Sequence, residues 1–275
     1  MIYFFLRWNF VVHGCIDGFS RLITVLKVSS DNEAITALNY FVEGIKEYGV
    51  PSRLRMDKGS EFVHIRSLMD TLNGSNRGSH ISGRSVHNQR IEKLWRDVFL
   101  KVLQKFYKIF YHMEDHGIFE IGNPIHLFAL HHTFLKRIDC DLKHWCSTHN
   151  GHRIRTERHK TPMQLWISLS IQNSYALTGT AMHNLFSRED VSTSVNEFYQ
   201  TRELVEPTDI SIVLPRVEPP LTVSELNALN QRVDVLRDSE SHGVDIYIEV
   251  LTFIQHAMPN NLTTFVLLFI INLKN

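Results

Sequence analysis

Three cysteines in 275 residues, Cys15, Cys140 and Cys146, are too few for a disulfide framework and favour a reducing compartment. An overall charge imbalance is absent too. The 29 Lys+Arg residues balance 29 Asp+Glu residues, so the whole chain points to no polyanionic or polycationic partner. Long apolar runs are lacking: FVLLFII at 265–271 falls far short of the ~20 residues that a membrane helix needs. The opening MIYFFLRWNFVV has neither the charged lead nor the small-residue cleavage site of a secretory signal. No internal repeat and no targeting signal is visible. These absences disfavour a secreted disulfide scaffold, a membrane protein and a repeat array. They leave a soluble, intracellular reading that suits the nucleus.

What is present is a hydrophobic content of 43%, enough for one or two cored domains. Divided along the chain, the charge is uneven. Residues 1–187 hold 23 basic against 16 acidic side chains, and residues 188–257 hold 5 against 13. A basic body with an acidic appendage fits a nucleic-acid-facing surface; ordinary unevenness between two segments fits as well.

The local pattern opens with an apolar, β-branched run at 7–16, turn chemistry at Asp17-Gly18-Phe19-Ser20, and a returning strand at 21–28. Helical spacing of Ile35, Leu38, Phe41, Val42 and Ile45 predicts a helix that stops near Gly49, before Pro51. A short strand at 52–56 leads into Asp57-Lys58-Gly59, and a helix follows at about 60–72. The stretch NGSNRGSHISGRS reads as a loop with room for a short strand. Helices are expected at 86–110, 124–149 and 161–176, then a polar, proline-bearing text from about 188, with one amphipathic piece at 243–256. The order β-β-α-β-α followed by long helices is an α/β pattern with a hairpin-led mixed sheet.

Four stretches, in order, carry a resemblance. They are Ile16-Asp17-Gly18-Phe19-Ser20-Arg21; Arg55-Met56-Asp57-Lys58-Gly59-Ser60-Glu61-Phe62; Gly83-Arg84-Ser85-Val86-His87-Asn88-Gln89-Arg90-Ile91-Glu92; and Trp145 to Trp166, with His149, Asn150, His152, Arg153, Thr161 and Pro162. Together they resemble the integrase core domain of retroviruses, retrotransposons and DNA transposons, and most closely the integrase-like host genes of animal genomes. The resemblance covers about residues 7–170 and implies an RNase H-like mixed sheet flanked by helices. It also implies DNA integration by in-line displacement, with carboxylates holding two Mg²⁺ ions.

On that resemblance Asp57 and Glu92, with 34 residues between them, are the expected catalytic and metal-holding carboxylates. Asp17 is a third candidate metal ligand, but it sits in the Asp-Gly turn where the family carries a non-catalytic residue. Arg84, Arg90, Lys93 and Arg96 lie around Glu92 and are the expected contacts to DNA phosphates; a solvated helix face is the plainer reading. The family's first carboxylate stands on a strand ahead of the one that ends at Asp17. Only residues 1–6 precede that strand, none acidic, so the first strand and its carboxylate are expected to be missing and the triad incomplete. His126, His131, His132, Cys140, His144, Cys146, His149 and His152 fit no standard zinc spacing and read as a His-rich helix packed on the core.

The expected organisation is an integrase core with a helical extension at 1–180, then an acidic, partly irregular segment at 181–275. The expected function is a mobile-element-derived, nucleic-acid-binding integrase-core protein, catalytically impaired, with DNA as partner, Mg²⁺ as the family's cofactor and homo-oligomerisation left open. The alternative is a non-enzymatic host module that binds DNA or protein through a degenerate core. An RNase H-type nuclease is disfavoured by the 83–92 motif.

Overall fold

The computed structural model describes residues 2–57, 59–74, 77–82, 89–175, 188–205, 207, 214 and 216–258. Strands β2 (Phe10–Ile16) and β3 (Ile23–Ser29) form the hairpin that their β-branched runs favour. Val11 faces Ser29 and Gly14 faces Leu26, and the register slips between Cys15 and Ile16. Asp17 builds the connection. Its Oδ2 accepts from the N–H groups of Phe19 (3.1 Å) and Ser20 (2.7 Å) and from the Ser20 hydroxyl (2.6 Å).

A correction applies ahead of β2, where the first strand was expected to be missing. A four-residue strand, β1 (Ile2–Phe5), lies antiparallel on β2 with Ile2 opposite Val12 and Phe5 opposite Phe10. Its sequence, IYFF, has the aromatic and β-branched character that suits a strand, but it contains no carboxylate. The sheet order is β1-β2-β3.

Helix α1 (Ala34–Tyr48) presses on β3 through Gly44, where a Cβ would meet Val25 Cγ2 at 2.6 Å. Strand β4 (Leu54–Met56), helix α2 (Val63–Asn73) and strand β5 (His80–Ser82) follow, and β4 and β5 pair in parallel. Helix α3 (Gln89–Val98), a π-helical turn (Phe99–Leu103) and helix α4 (Gln104–Asp115) run on without a break. After α4 come α5 (Pro124–Gly151) and α6 (Pro162–Tyr175).

The region beyond 188 is more regular than its polar text implies. Helix α7 (Arg188–Thr201) buries Val191, Val195 and Phe198 in the same cluster as Leu38 and Phe41 of α1 and Leu68 and Met69 of α2. These three apolar residues recur at i, i+4 and i+7, one face of a helix otherwise made of polar side chains. Helices α8 (Val223–Arg232) and α9 (Val244–Ala257) complete the described chain, α8 starting with a Thr222–Glu225 capping box.

Two compact units interleave along the sequence, 1–107 with 138–216 and 108–137 with 217–275. The first holds both sheets. The second is helical: Phe110 meets Phe134 edge to face at 4.9 Å, and Arg137 donates to the carbonyls of Val235 (2.8 Å) and Arg237 (3.0 Å). Among the described residues no helix is long and apolar enough to cross a membrane.

Candidate functional site

Asp57 stands at the C-terminal end of β4 with its side chain exposed. The backbone after it is held from below. The Arg66 guanidinium donates to the carbonyls of Asp57 (3.0 Å) and Gly59 (2.9 Å). Glu61 is buried, and its carboxylate fills the space that any Cβ at position 59 would need. Glycine at 59 thus lets the buried acid two residues on lie against the backbone, and a larger residue there would make the Glu61 side chain shift. Arg66 carries no motif signal and was not anticipated from sequence.

Glu92 lies in the first turn of α3 and is exposed. The helix is anchored by Leu94, Trp95 and Val98, which are 3%, 9% and 0% exposed. At about 100° per residue those three define the inner arc; positions 92, 93 and 96 fall on the outer one, with 90 at its edge. Arg90, Glu92, Lys93 and Arg96 are all exposed, as that geometry requires. Arg84 falls outside the described residues.

Among the described residues no group of three or more His, Cys, Asp or Glu side chains is arranged to hold a metal ion. One oxygen of Asp17 is already committed to three donors of its own turn. Magnesium prefers a hard-oxygen octahedron supplied by carboxylates and water, and a two-ion centre needs a carboxylate to bridge the pair. Asp57 and Glu92 are exposed, and β1 carries no carboxylate.

The histidines have separate structural tasks. His126 Nδ1 accepts from the Glu120 N–H at 3.1 Å, and His131 is buried. His149 Nε2 lies 3.1 Å from the Arg21 carbonyl. A carbonyl only accepts, so this nitrogen carries the proton. Burial holds the His149 pKa below the usual imidazole range, within electrostatic reach of Lys93 and Asp97 on α3 and of His152.

A cleft of about 580 Å³ lies apart from both motif carboxylates, along β3 between α1 and α5. Lys27 projects into it and pairs with Glu43 (3.8 Å) and Asp139 (3.7 Å). At one end the Asn150 amide bridges the Ile23 backbone, accepting from its N–H (2.9 Å) and donating to its carbonyl (3.0 Å).

A family model described as integrase core domain matches residues 3–181. No curated protein and no solved structure matches the chain. The matched span takes in the Asp17 turn, the β4 loop with Asp57, the α3 approach with Glu92, and the Asn150-to-Pro162 segment. The chain belongs to the integrase core domain family.

Proposed function

We propose that this chain is a mobile-element-derived integrase-core protein that binds nucleic acid through the outer arc of α3 and does not carry out magnesium-dependent strand transfer. The observation that supports it is the exposure of Arg90, Lys93 and Arg96 on one arc of a helix whose other side is fixed in the core. Guanidinium and ammonium groups so held can pair with successive phosphates, which fixes a protein on a duplex without reading its sequence. Asp57 and Glu92 keep the positions of the family's carboxylates. With no acid on β1 and Asp17 tied into its turn, they lack the partner that would organise two ions.

The test is a filter-binding titration of the full chain on duplex DNA across salt concentrations, alongside a strand-transfer assay with Mg²⁺ and Mn²⁺. Binding that weakens steeply with salt, equally across sequences, with no strand joining, is the expected result. Robust joining abolished by Asp57→Asn would overturn the catalytic half, and no binding at low salt would overturn the other. A second reading, a protein-binding module, is favoured by the cleft along β3; failure to bind nucleic acid together with capture of an extended peptide in that cleft would select it.

A further inference from the structure

The segment between α5 and α6 packs four cations into eight residues: Arg153, Arg155, Arg158 and Lys160, all exposed. It is a built loop. Its ends are tied by the Ile154 N–H donating to the Lys160 carbonyl (2.9 Å), and the His159 and Glu157 N–H groups both donate to the Ile154 carbonyl (3.1 Å each). Beyond it, Thr161 and Gln164 exchange side chain-to-backbone hydrogen bonds (3.0 and 3.1 Å) around Pro162, a capping box that fixes where α6 begins.

Two observations set this loop apart from an ordinary solvated face. The loop's one carboxylate, Glu157, is taken by Arg21 of the β2–β3 turn at 2.9 Å, and Arg21 NH1 also reaches the Thr156 hydroxyl at 3.5 Å. Among the described residues Arg153, Arg155, Arg158 and Lys160 have no ion-pair partner, so the four charges stand uncompensated within one closed loop. Arg158 and His159 also adopt φ of 54° and 60°, a left-handed conformation that side chains with a Cβ rarely take. The chain thus holds mutually repelling cations together in a strained backbone, and a polyanion is the ligand that would relieve the repulsion.

We propose that the 153–160 loop, anchored by the Arg21–Glu157 pair, is a second site for the phosphodiester backbone of duplex nucleic acid. The proposal rests on the reading that this chain takes nucleic acid. His149 supports the same anchor, with its Nε2 3.1 Å from the Arg21 carbonyl. A duplex lying on both elements would meet Arg90, Lys93 and Arg96 on one stretch of backbone and Arg153, Arg155 and Arg158 on another.

The experiment compares the full chain with an α3 variant (Arg90→Gln, Lys93→Gln) and a loop variant (Arg153→Gln, Arg155→Gln, Arg158→Gln). The probes are duplex DNA and duplex RNA, titrated from 20 mM salt upward. All five positions are exposed, and an unchanged thermal midpoint confirms folding. The loop variant should lose roughly 100-fold in affinity at low salt and flatten the log–log salt slope by about 0.9 per phosphate contact removed. Equal losses on DNA and RNA identify the backbone as the ligand; a loss confined to one identifies that duplex as the source. A loop variant that binds like the parent chain while the α3 variant does not would overturn this inference and leave the proposed function standing. No binding by the parent chain would overturn both. If the loop variant loses binding to anionic phospholipid vesicles but not to either duplex, the loop is a lipid-facing patch and the inference fails.

Discussion

The indole of Trp95 lies so close over Gly14 that a Cβ on the glycine would sit 2.5 Å from Cη2. Gly14 is central in β2, opposite Leu26, so this contact seats α3 on the sheet and sets which arc of the helix faces outward. A ring atom of a packed indole cannot step aside as a flexible chain end can. Gly14→Ala should therefore cost about 1–3 kcal/mol in urea unfolding, the usual range for overpacking. Adding Trp95→Phe should recover part of it. A Gly14→Ala chain as stable as the parent would mean that α3 is not seated this way.

Asn150 does the work of a neighbouring strand at the end of β3, pairing both the donor and the acceptor of Ile23 while itself only 7% exposed. Asn150→Ala leaves that N–H and carbonyl buried without these partners. Each such group costs about 1–3 kcal/mol. The expected outcome is a fall of several degrees in the thermal midpoint; a midpoint within one degree of the parent chain would refute the role.

How much of this was legible in the sequence depends on how local the cause is. The inner arc of α3 is written in Leu94, Trp95 and Val98 at helical spacing, and the β2–β3 hairpin in its β-branched runs and Asp17-Gly18. Asn150 stands in a recognisable motif, but its partner Ile23 is 127 residues away, and nothing local names it. The stripe Val191, Val195, Phe198 was readable in principle; acidic and hydroxyl neighbours made α7 look like an irregular tail. Strand β1 was missed because the family's motif is absent there, although IYFF pairs with β2 without it. The π-helical turn at Phe99–Leu103 left no signal, since its apolar residues fit an ordinary helix equally well.

Asp17 supplies a test that separates a turn from a metal site. Three donors converge on its Oδ2. An asparagine oxygen accepts the same bonds in the same turn, whereas an alanine accepts none. Asp17→Ala should lower stability by about 1–2 kcal/mol, and Asp17→Asn should restore most of that loss. The readout is thermal unfolding with and without Mg²⁺. If Asp17→Asn abolished a magnesium-dependent stabilisation of the parent chain, the side chain would be acting through its charge and the turn assignment would be insufficient.

His13 gives the fold a pH dependence whose sign is fixed by its surroundings. The ring is buried in β2, packed edge-on to Tyr40 with centroids 5.3 Å apart, and its Nε2 lies 3.0 Å from Ser29 Oγ. Ser29 donates its hydroxyl proton to the Asp31 carbonyl at 2.6 Å, so it can only accept from His13, whose Nε2 therefore carries a proton. Burial pushes the His13 pKa from 6.5 down to about 3. In the unfolded chain the same ring titrates near ~6.5. Between those two values the unfolded state takes up a proton that the folded state refuses, so stability falls as pH drops through that window, by up to about 1.4 kcal/mol per pH unit for one such group. Burial also lowers the pKa of His126, His132 and His149, which add slopes of the same sign, so the comparison must be made against a variant. His13→Gln keeps a donor for Ser29 and removes the titration. Urea unfolding at several pH values from 7.5 down to 4.5 should show the parent chain losing stability more steeply than His13→Gln; parallel profiles would show that His13 is not buried as a neutral ring.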